Sequence, residues 1–359
     1  MYLHGLLQMF KQVHHNNIKS FIFRLKNNMT RWGILGCGRI ARKFASDLKL
    51  VEDAMLIACG ARNAASADAF AKEFNIKHKH YSYEALVKDD EVDVIYIATP
   101  HSHHHEHALL CINNGKAVLC EKAFALNYAQ VKEMVDAARD KKVFLMEAVW
   151  TKFLPPFNKV KQLIDDGMLG DIKSLLVNFG FKAPPDAPQR LLDPSLGGGT
   201  ILDIGIYNVF TALFFLGKPD IITAEAILTA GNTDEQCAVT FKYNDGRLAQ
   251  LFSTFLSDCT TEADICGTNG RIRLTSRYYT PFATIEYYPG RLDTKQIIDT
   301  GRPEEGFGYQ YEARHVGECL KKGLTESPVM TFADSLSLIE TLDAIRKKAG
   351  IIYAVDEQL

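Results

Sequence analysis

Three absences narrow what this chain can be. No apolar run approaches the roughly 18 residues that a membrane-spanning helix needs, so no span is expected. The eight cysteines (Cys37, Cys59, Cys111, Cys120, Cys237, Cys259, Cys266 and Cys319) form no C-x-x-C pair and no zinc-like spacing. Most lie inside apolar patterns, which reads as core thiols in a reducing, cytoplasmic setting rather than a disulfide framework. No charge of one sign dominates either. The formal net charge is −2, so neither nucleic acid nor a membrane surface is an expected partner.

Residues 1–28 differ from the rest. They carry Lys11, Lys19, Arg24 and Lys26 and no acidic residue. They lack a continuous apolar core, an A-x-A cleavage site and a twin arginine, so they do not read as a secretory leader. The expectation is a poorly ordered or non-native extension, with the functional chain beginning at Met29. The remaining length suggests two domains, residues 29–150 and 151–359.

What is present is organised around Arg31 to Ala41, a short apolar strand that runs into Gly36-Cys-Gly-Arg-Ile-Ala41. After a strand and before a helix, G-x-G-x-x-A is a dinucleotide-binding pattern. Gly36 permits the tight turn, Gly38 lets a pyrophosphate approach the backbone, and Ala41 lets helix and strand pack closely. Apolar runs at Met55 to Cys59, Val92 to Ala98, Ala117 to Cys120 and Val143 to Met146 then alternate with helical stretches. That alternation predicts an α/β Rossmann fold, a doubly wound parallel sheet. A second strand of this kind often leads to an acid that holds a ribose 2′-hydroxyl. This one leads to Arg62 instead, which suits a 2′-phosphate and favours NADP over NAD.

Beyond Trp150 the pattern changes. Strands are expected near 172–181, 222–230, 235–243, 247–255, 260–266, 270–274 and 282–288, with hairpin signals at Asn244-Asp-Gly and Thr268-Asn-Gly. Helices are expected over 157–166, 206–216, 309–322 and 332–348. This predicts an α+β domain on a large, mostly antiparallel open sheet. Its last helix is expected to pack back on the first domain, and a second copy of the chain would cover the open face.

Three stretches could carry chemistry. Thr99-Pro-His-Ser-His-His-His-Glu-His107 holds five histidines, yet adjacent histidines point in different directions and no carboxylate cluster completes a set, so no metal is expected. Glu121-Lys122 ends a buried strand, where a partly desolvated ammonium could favour alkoxide-like charge during hydride transfer. Asp203 and Tyr207 are four residues apart and share a helical face. A phenol near a lysine can have its pKa lowered enough to pass a proton.

Gly36 to Ala41, Thr99-Pro100 with His104, Glu121-Lys122, and Gly197 to Tyr207 together resemble the glucose–fructose oxidoreductase/inositol dehydrogenase/rhizopine catabolism (Gfo/Idh/MocA) family, over about residues 30 to 357. Val118 to Lys122 and Phe144 to Phe153 resemble its branch of dimeric dihydrodiol dehydrogenases and NADP-dependent aldose dehydrogenases. The resemblance implies hydride transfer between NADP and a sugar, polyol or cyclic diol. It implies Lys122 and Tyr207 as catalytic residues, with Asp203 positioning substrate and Trp150 and Phe153 lining the nicotinamide end. It also implies a cofactor-binding set of Gly36, Cys37, Gly38, Arg39, Ile40, Arg62, Thr99, Pro100, His101, His104, Glu121 and Lys122. The family's Glu-Lys-Pro is Glu-Lys-Ala here, and a non-proline cis bond costs about 2.5–4 kcal/mol. Either other contacts hold Lys122, or the loop runs trans and the ammonium moves. Lys152 stands where relatives often carry arginine, and a bidentate contact would not survive that change.

Overall fold

A computed structural model describes residues 29–184, 186–275, 277–290, 294–301 and 305–358. The extension expected over 1–28 lies outside the described residues. Strands β1 (Thr30–Leu35), β2 (Ala54–Gly60), β3 (His78–His80), β4 (Val94–Ile97), β5 (Ala117–Glu121) and β6 (Leu145–Ala148) alternate with helices. The helices are α1 (Arg39–Leu48), α2 (Ala64–Phe74), α3 (Tyr83–Val87), α4 (His104–Asn113) and α5 (Tyr128–Lys141). The strands make one parallel sheet in the order β3-β2-β1-β4-β5-β6.

Local chemistry explains these elements. All four residues of β4 are buried, as a strand covered on both faces requires. Helix α1 buries Ala41, Phe44, Ala45 and Leu48, one helical stripe. The Phe44 ring lies 3.8 Å from that of Tyr96 in β4. Asn127 caps α5 by accepting the Gln130 N–H at 3.1 Å. Three-residue β3 carries too little periodicity to be read from sequence.

The second half comprises α6 (Pro155–Asp165), β7 (Ile172–Gly180), α7 (Ile206–Leu216), β8 (Ile221–Leu228), β9 (Asp234–Lys242), β10 (Leu248–Thr254), β11 (Ala263–Gly267), β12 (Gly270–Thr275), β13 (Thr284–Pro289), β14 (Gln296–Ile298), α8 (Tyr309–Lys321) and α9 (Phe332–Ala349). Its sheet runs β14-β13-β12-β11-β7-β10-β9-β8. Among the described residues, only β7 and β10 pair in parallel. Helices α7 and α9 cover one face, over Leu175, Val177, Val239 and Leu251. The opposite face carries Leu176 and Leu248, 42% and 46% exposed.

Pro194–Leu216 is a 23-residue helical stretch that by length and composition could cross a membrane. It is not one continuous helix: a 3₁₀ turn at Pro194–Leu196 ends at Gly197, in the left-handed region at φ +73°, and the π-helical turn Ile201–Gly205 then leads into α7. The stretch is a core element, with 83% of its most apolar window buried.

The two halves are tied together at several points. Asp47 of α1 accepts the N–H groups of Phe307, Gly308 and Tyr309 at 2.8–2.9 Å, capping α8, whose own N-cap is a glycine. Helix α9 packs on α5, and its Asp343 accepts the Tyr128 N–H at 2.8 Å.

A candidate dinucleotide and substrate site

The strand order of the first sheet reverses between β1 and β4, and ligands bind doubly wound sheets in the crevice at that reversal. Gly36 leaves β1 with φ +97°, and a Cβ there would lie 3.0 Å from the Ala98 carbonyl oxygen of the neighbouring strand end. A Cβ on Gly38 would meet nothing within 4 Å. Gly38 is the N-cap of α1, with no side-chain cap and no acidic residue in the first turn. Unsatisfied N–H groups and an open backbone therefore face the crevice, as an anion requires. Around this cradle, Arg39 is exposed and Cys37 and Ile40 are half-buried. Arg62, just past β2, is exposed and lies beside the Tyr83 hydroxyl. The donor set fits a dinucleotide phosphate.

Lys122, Asp203 and Tyr207 come together where β5 ends. The Lys122 ammonium donates to the Asp203 carbonyl at 2.6 Å and to its carboxylate at 3.3 Å. It also sits 5.0 Å from the centre of the Tyr207 ring. The Lys122–Ala123 peptide is cis, and Asp203 is the contact that holds the ammonium. Residues 201–205 form a π-helical turn rather than part of a regular α-helix, and the backbone oxygen that meets Lys122 belongs to this turn. Burial alone would raise the Asp203 carboxyl, but the charges of Lys122 and Arg190 outweigh it and hold the group low and ionised.

Tyr207 departs from expectation. Burial, with Tyr309, Glu121 and Tyr279 nearby, pushes its phenol well above the ordinary value. The lysine charge lies over the ring rather than at the hydroxyl, so it does not ease deprotonation. The hydroxyl accepts the Trp150 Nε1–H at 3.0 Å, and the Trp150 ring stacks on Tyr309 at 4.6 Å. The raised phenol keeps its proton, contrary to the lowered pKa expected beside a lysine.

The histidine run spreads over separate partners. His101 Nδ1 meets the Gly197 carbonyl at 3.0 Å, His105 meets Glu133 at 2.8 Å and His107 meets Thr99 Oγ1 at 3.0 Å. His104 lies between the carbonyls of Ala123 and Thr99, at 2.7 and 2.8 Å. Burial lowers His101 to about 3 and His104 to about 4, so both are neutral struts that brace the Lys122 loop. Gly197, at φ +73°, approaches so closely that a Cβ would lie 2.9 Å from that of His101. Thr99 and Pro100 join β4 to this brace. Glu121 accepts the Tyr96 hydroxyl, and burial raises its carboxyl.

Some expected residues lie elsewhere in the network, and others join it unannounced. Phe153 packs on His315 of α8 at 5.0 Å rather than on Tyr207. Lys152 makes a single-point pair with Asp334 at 2.8 Å. Tyr279 stacks on Tyr207 at 4.8 Å, and Arg190 approaches Asp203 at 3.5 Å. Arg190 reaches the site from a single 3₁₀ turn (Gln189–Leu191) and Tyr279 from a loop, and neither carries a periodic signal in one sequence.

A phosphate cradle at the sheet's reversal, with an ammonium, an ionised carboxylate and a buried phenol at the next strand end, defines a dinucleotide-dependent oxidoreductase. Residues 30–149 match the model of the oxidoreductase family with an NAD-binding Rossmann fold, and residues 157–273 match that of the GFO/IDH/MocA C-terminal domain. The chain belongs to the Gfo/Idh/MocA family. It is 38% identical over 331 residues to trans-1,2-dihydrobenzene-1,2-diol dehydrogenase of Xenopus laevis, covering 90% of this chain and 99% of that protein. Its fold is similar to aldose-aldose oxidoreductase of Caulobacter crescentus, with a TM-score of 0.82 at 22% identity over 90% of this chain and 98% of that one. It is likewise similar to a 3-ketoreductase of Actinomadura kijaniata solved with NADP, with a TM-score of 0.78 at 23% identity over 89% and 98%.

Proposed function

We propose that the chain transfers a hydride between NADP and a hydroxyl or carbonyl carbon of a sugar, polyol or cyclic trans-diol. The observation that carries this reading is the ammonium of Lys122, pinned by Asp203 beside the Tyr207 ring at the mouth of the cofactor crevice. Bound NADP supplies the nicotinamide that gives or takes the hydride. Gly36 to Ile40 hold the phosphates through the backbone and the α1 terminus. Lys122 hydrogen-bonds the reacting oxygen and favours alkoxide-like charge on it. Tyr207, protonated through the ordinary pH range, offers its O–H to that oxygen in the reducing direction, while Trp150 fixes the phenol. Asp203, held ionised, accepts a neighbouring substrate hydroxyl. The similarity to a dihydrodiol dehydrogenase and the likeness to sugar oxidoreductases support this substrate class.

Arg62 supports NADP, because β2 delivers a guanidinium and no carboxylate at the adenosine end. The exposed face of the eight-stranded sheet supports a homodimer or higher homo-oligomer.

The test is steady-state turnover on a panel of aldoses, inositols and trans-dihydrodiols with NADP and NAD, using the wild type and Arg62→Ala. We expect reduction of NADP by at least one member, and a loss of NADP affinity in the variant far larger than the loss for NAD. Equal losses would remove Arg62 from 2′-phosphate recognition. Cofactor binding without turnover on any member would point instead to a sensor.

A further inference from the structure

The edge of the first sheet carries a side-chain cluster that the redox chemistry does not use. Among the described residues, strand β3 pairs with β2 alone, Ala58 opposite His78 and Gly60 opposite His80. Residues two apart on a strand point to the same face. His78 and His80 therefore project together, while Lys79 turns away to pair with Asp68. Opposite them stands Asp89, from the loop between α3 and β4. One of its carboxylate oxygens lies 2.6 Å from His78 Nδ1 and 2.9 Å from His80 Nε2.

We propose that His78, His80 and Asp89 form a binding site for a divalent transition metal of the zinc class. The three donor atoms lie within 4.8 Å of one another. Tetrahedral zinc with bonds of about 2.0–2.1 Å sets its ligand atoms about 3.3 Å apart, so side-chain shifts of about 1 Å seat the ion. Two imidazoles and one carboxylate are a borderline donor set that suits zinc, cobalt or nickel rather than magnesium or calcium. Three protein ligands leave a fourth position for water, and both imidazoles are about one-fifth exposed, which provides an entry path.

The surroundings are built as the outer shell of a metal site usually is. The second Asp89 oxygen accepts the Glu91 N–H at 3.0 Å. The Asp89 carbonyl accepts Lys116 Nζ at 2.7 Å, which fixes the loop. A neutral His78 that ligates through Nδ1 carries its proton on Nε2, and that atom faces the Glu91 carboxylate at 3.6 Å. The ion would clamp an edge strand of three residues to the loop before β4. It uses none of the histidines at 101–107, whose ring nitrogens go to separate partners.

Full-length protein without a histidine tag would be titrated with Co2+ alone and then with Zn2+, followed by visible absorption and thermal melting. The expected result is one Co2+ per chain with ligand-field bands, displaced by Zn2+, and a melting temperature that rises with the metal and falls on chelation. His80→Ala and His78→Ala should each weaken the metal at least about tenfold, whereas His103→Ala/His105→Ala should bind as the wild type does. Absence of a stoichiometric Co2+ spectrum in the wild type would overturn the proposal. So would unchanged affinity in both strand variants, or loss of binding in the His103→Ala/His105→Ala protein.

Discussion

Glu147 is a carboxyl group inside the protein, 2% exposed on β6. One oxygen accepts the Phe124 N–H at 3.2 Å, and the Ser335 side chain lies beside the carboxyl. Burial raises its pKa to about 7, from an ordinary value of 4.5. The folded state therefore holds a proton that the unfolded chain has lost between those values, so stability falls as pH rises through that window. The span corresponds to about 3 kcal/mol. Glu147→Gln removes the titration, and urea melts at pH 5 and pH 8 should show a smaller fall than in the wild type. An equal fall would mean that other groups carry the dependence. At this scale the sequence disclosed what a strand end discloses. Lys122 after β5 and Asp203 four residues before Tyr207 were legible as neighbours. Arg190 and Tyr279 were not, because their approach depends on loop paths. The state of Tyr207 was misjudged, since a lysine within reach says nothing about whether its charge faces the hydroxyl or the ring.

Among the elements, the most exposed investment is the open face of the eight-stranded sheet. Leu176 and Leu248 stand on it beside polar residues such as Thr240, Gln250 and Arg273. Large sheets leave one face to be covered, and a self-complementary patch does so through a two-fold axis. A dimer should appear by light scattering at micromolar concentration, and Leu176→Arg should shift it to monomer with the melting curve otherwise retained. A monomeric wild type would contradict the reading. The elements themselves were largely readable, because long periodic segments announce themselves. Tyr128–Lys141 and Ile206–Leu216 fall where helical spacing places them. Short β3 and β14 escaped, since three residues carry no period, and β6 begins two residues later than its apolar run. The π-helical turn at 201–205 has no signature distinct from that of an α-helix.

The whole molecule matters because the site belongs to neither half alone. Lys122 comes from the first sheet, while Asp203 and Tyr207 come from the second half, with His101 to Gly197 as a strut between them. Asp47 capping α8 and the α5–α9 contact hold the halves in register. In the proposed reaction a hydride must pass over a distance that small misplacements spoil, so these contacts between the halves would serve the chemistry. The direct measurement is Lys122→Met, with NADP affinity and turnover on the best panel substrate determined on the same preparation. We expect affinity within a few fold of the wild type and turnover lower by about 10²–10³-fold, the cost of one lost donor to a developing oxyanion. Turnover that stays at the wild-type level would remove Lys122 from the chemistry.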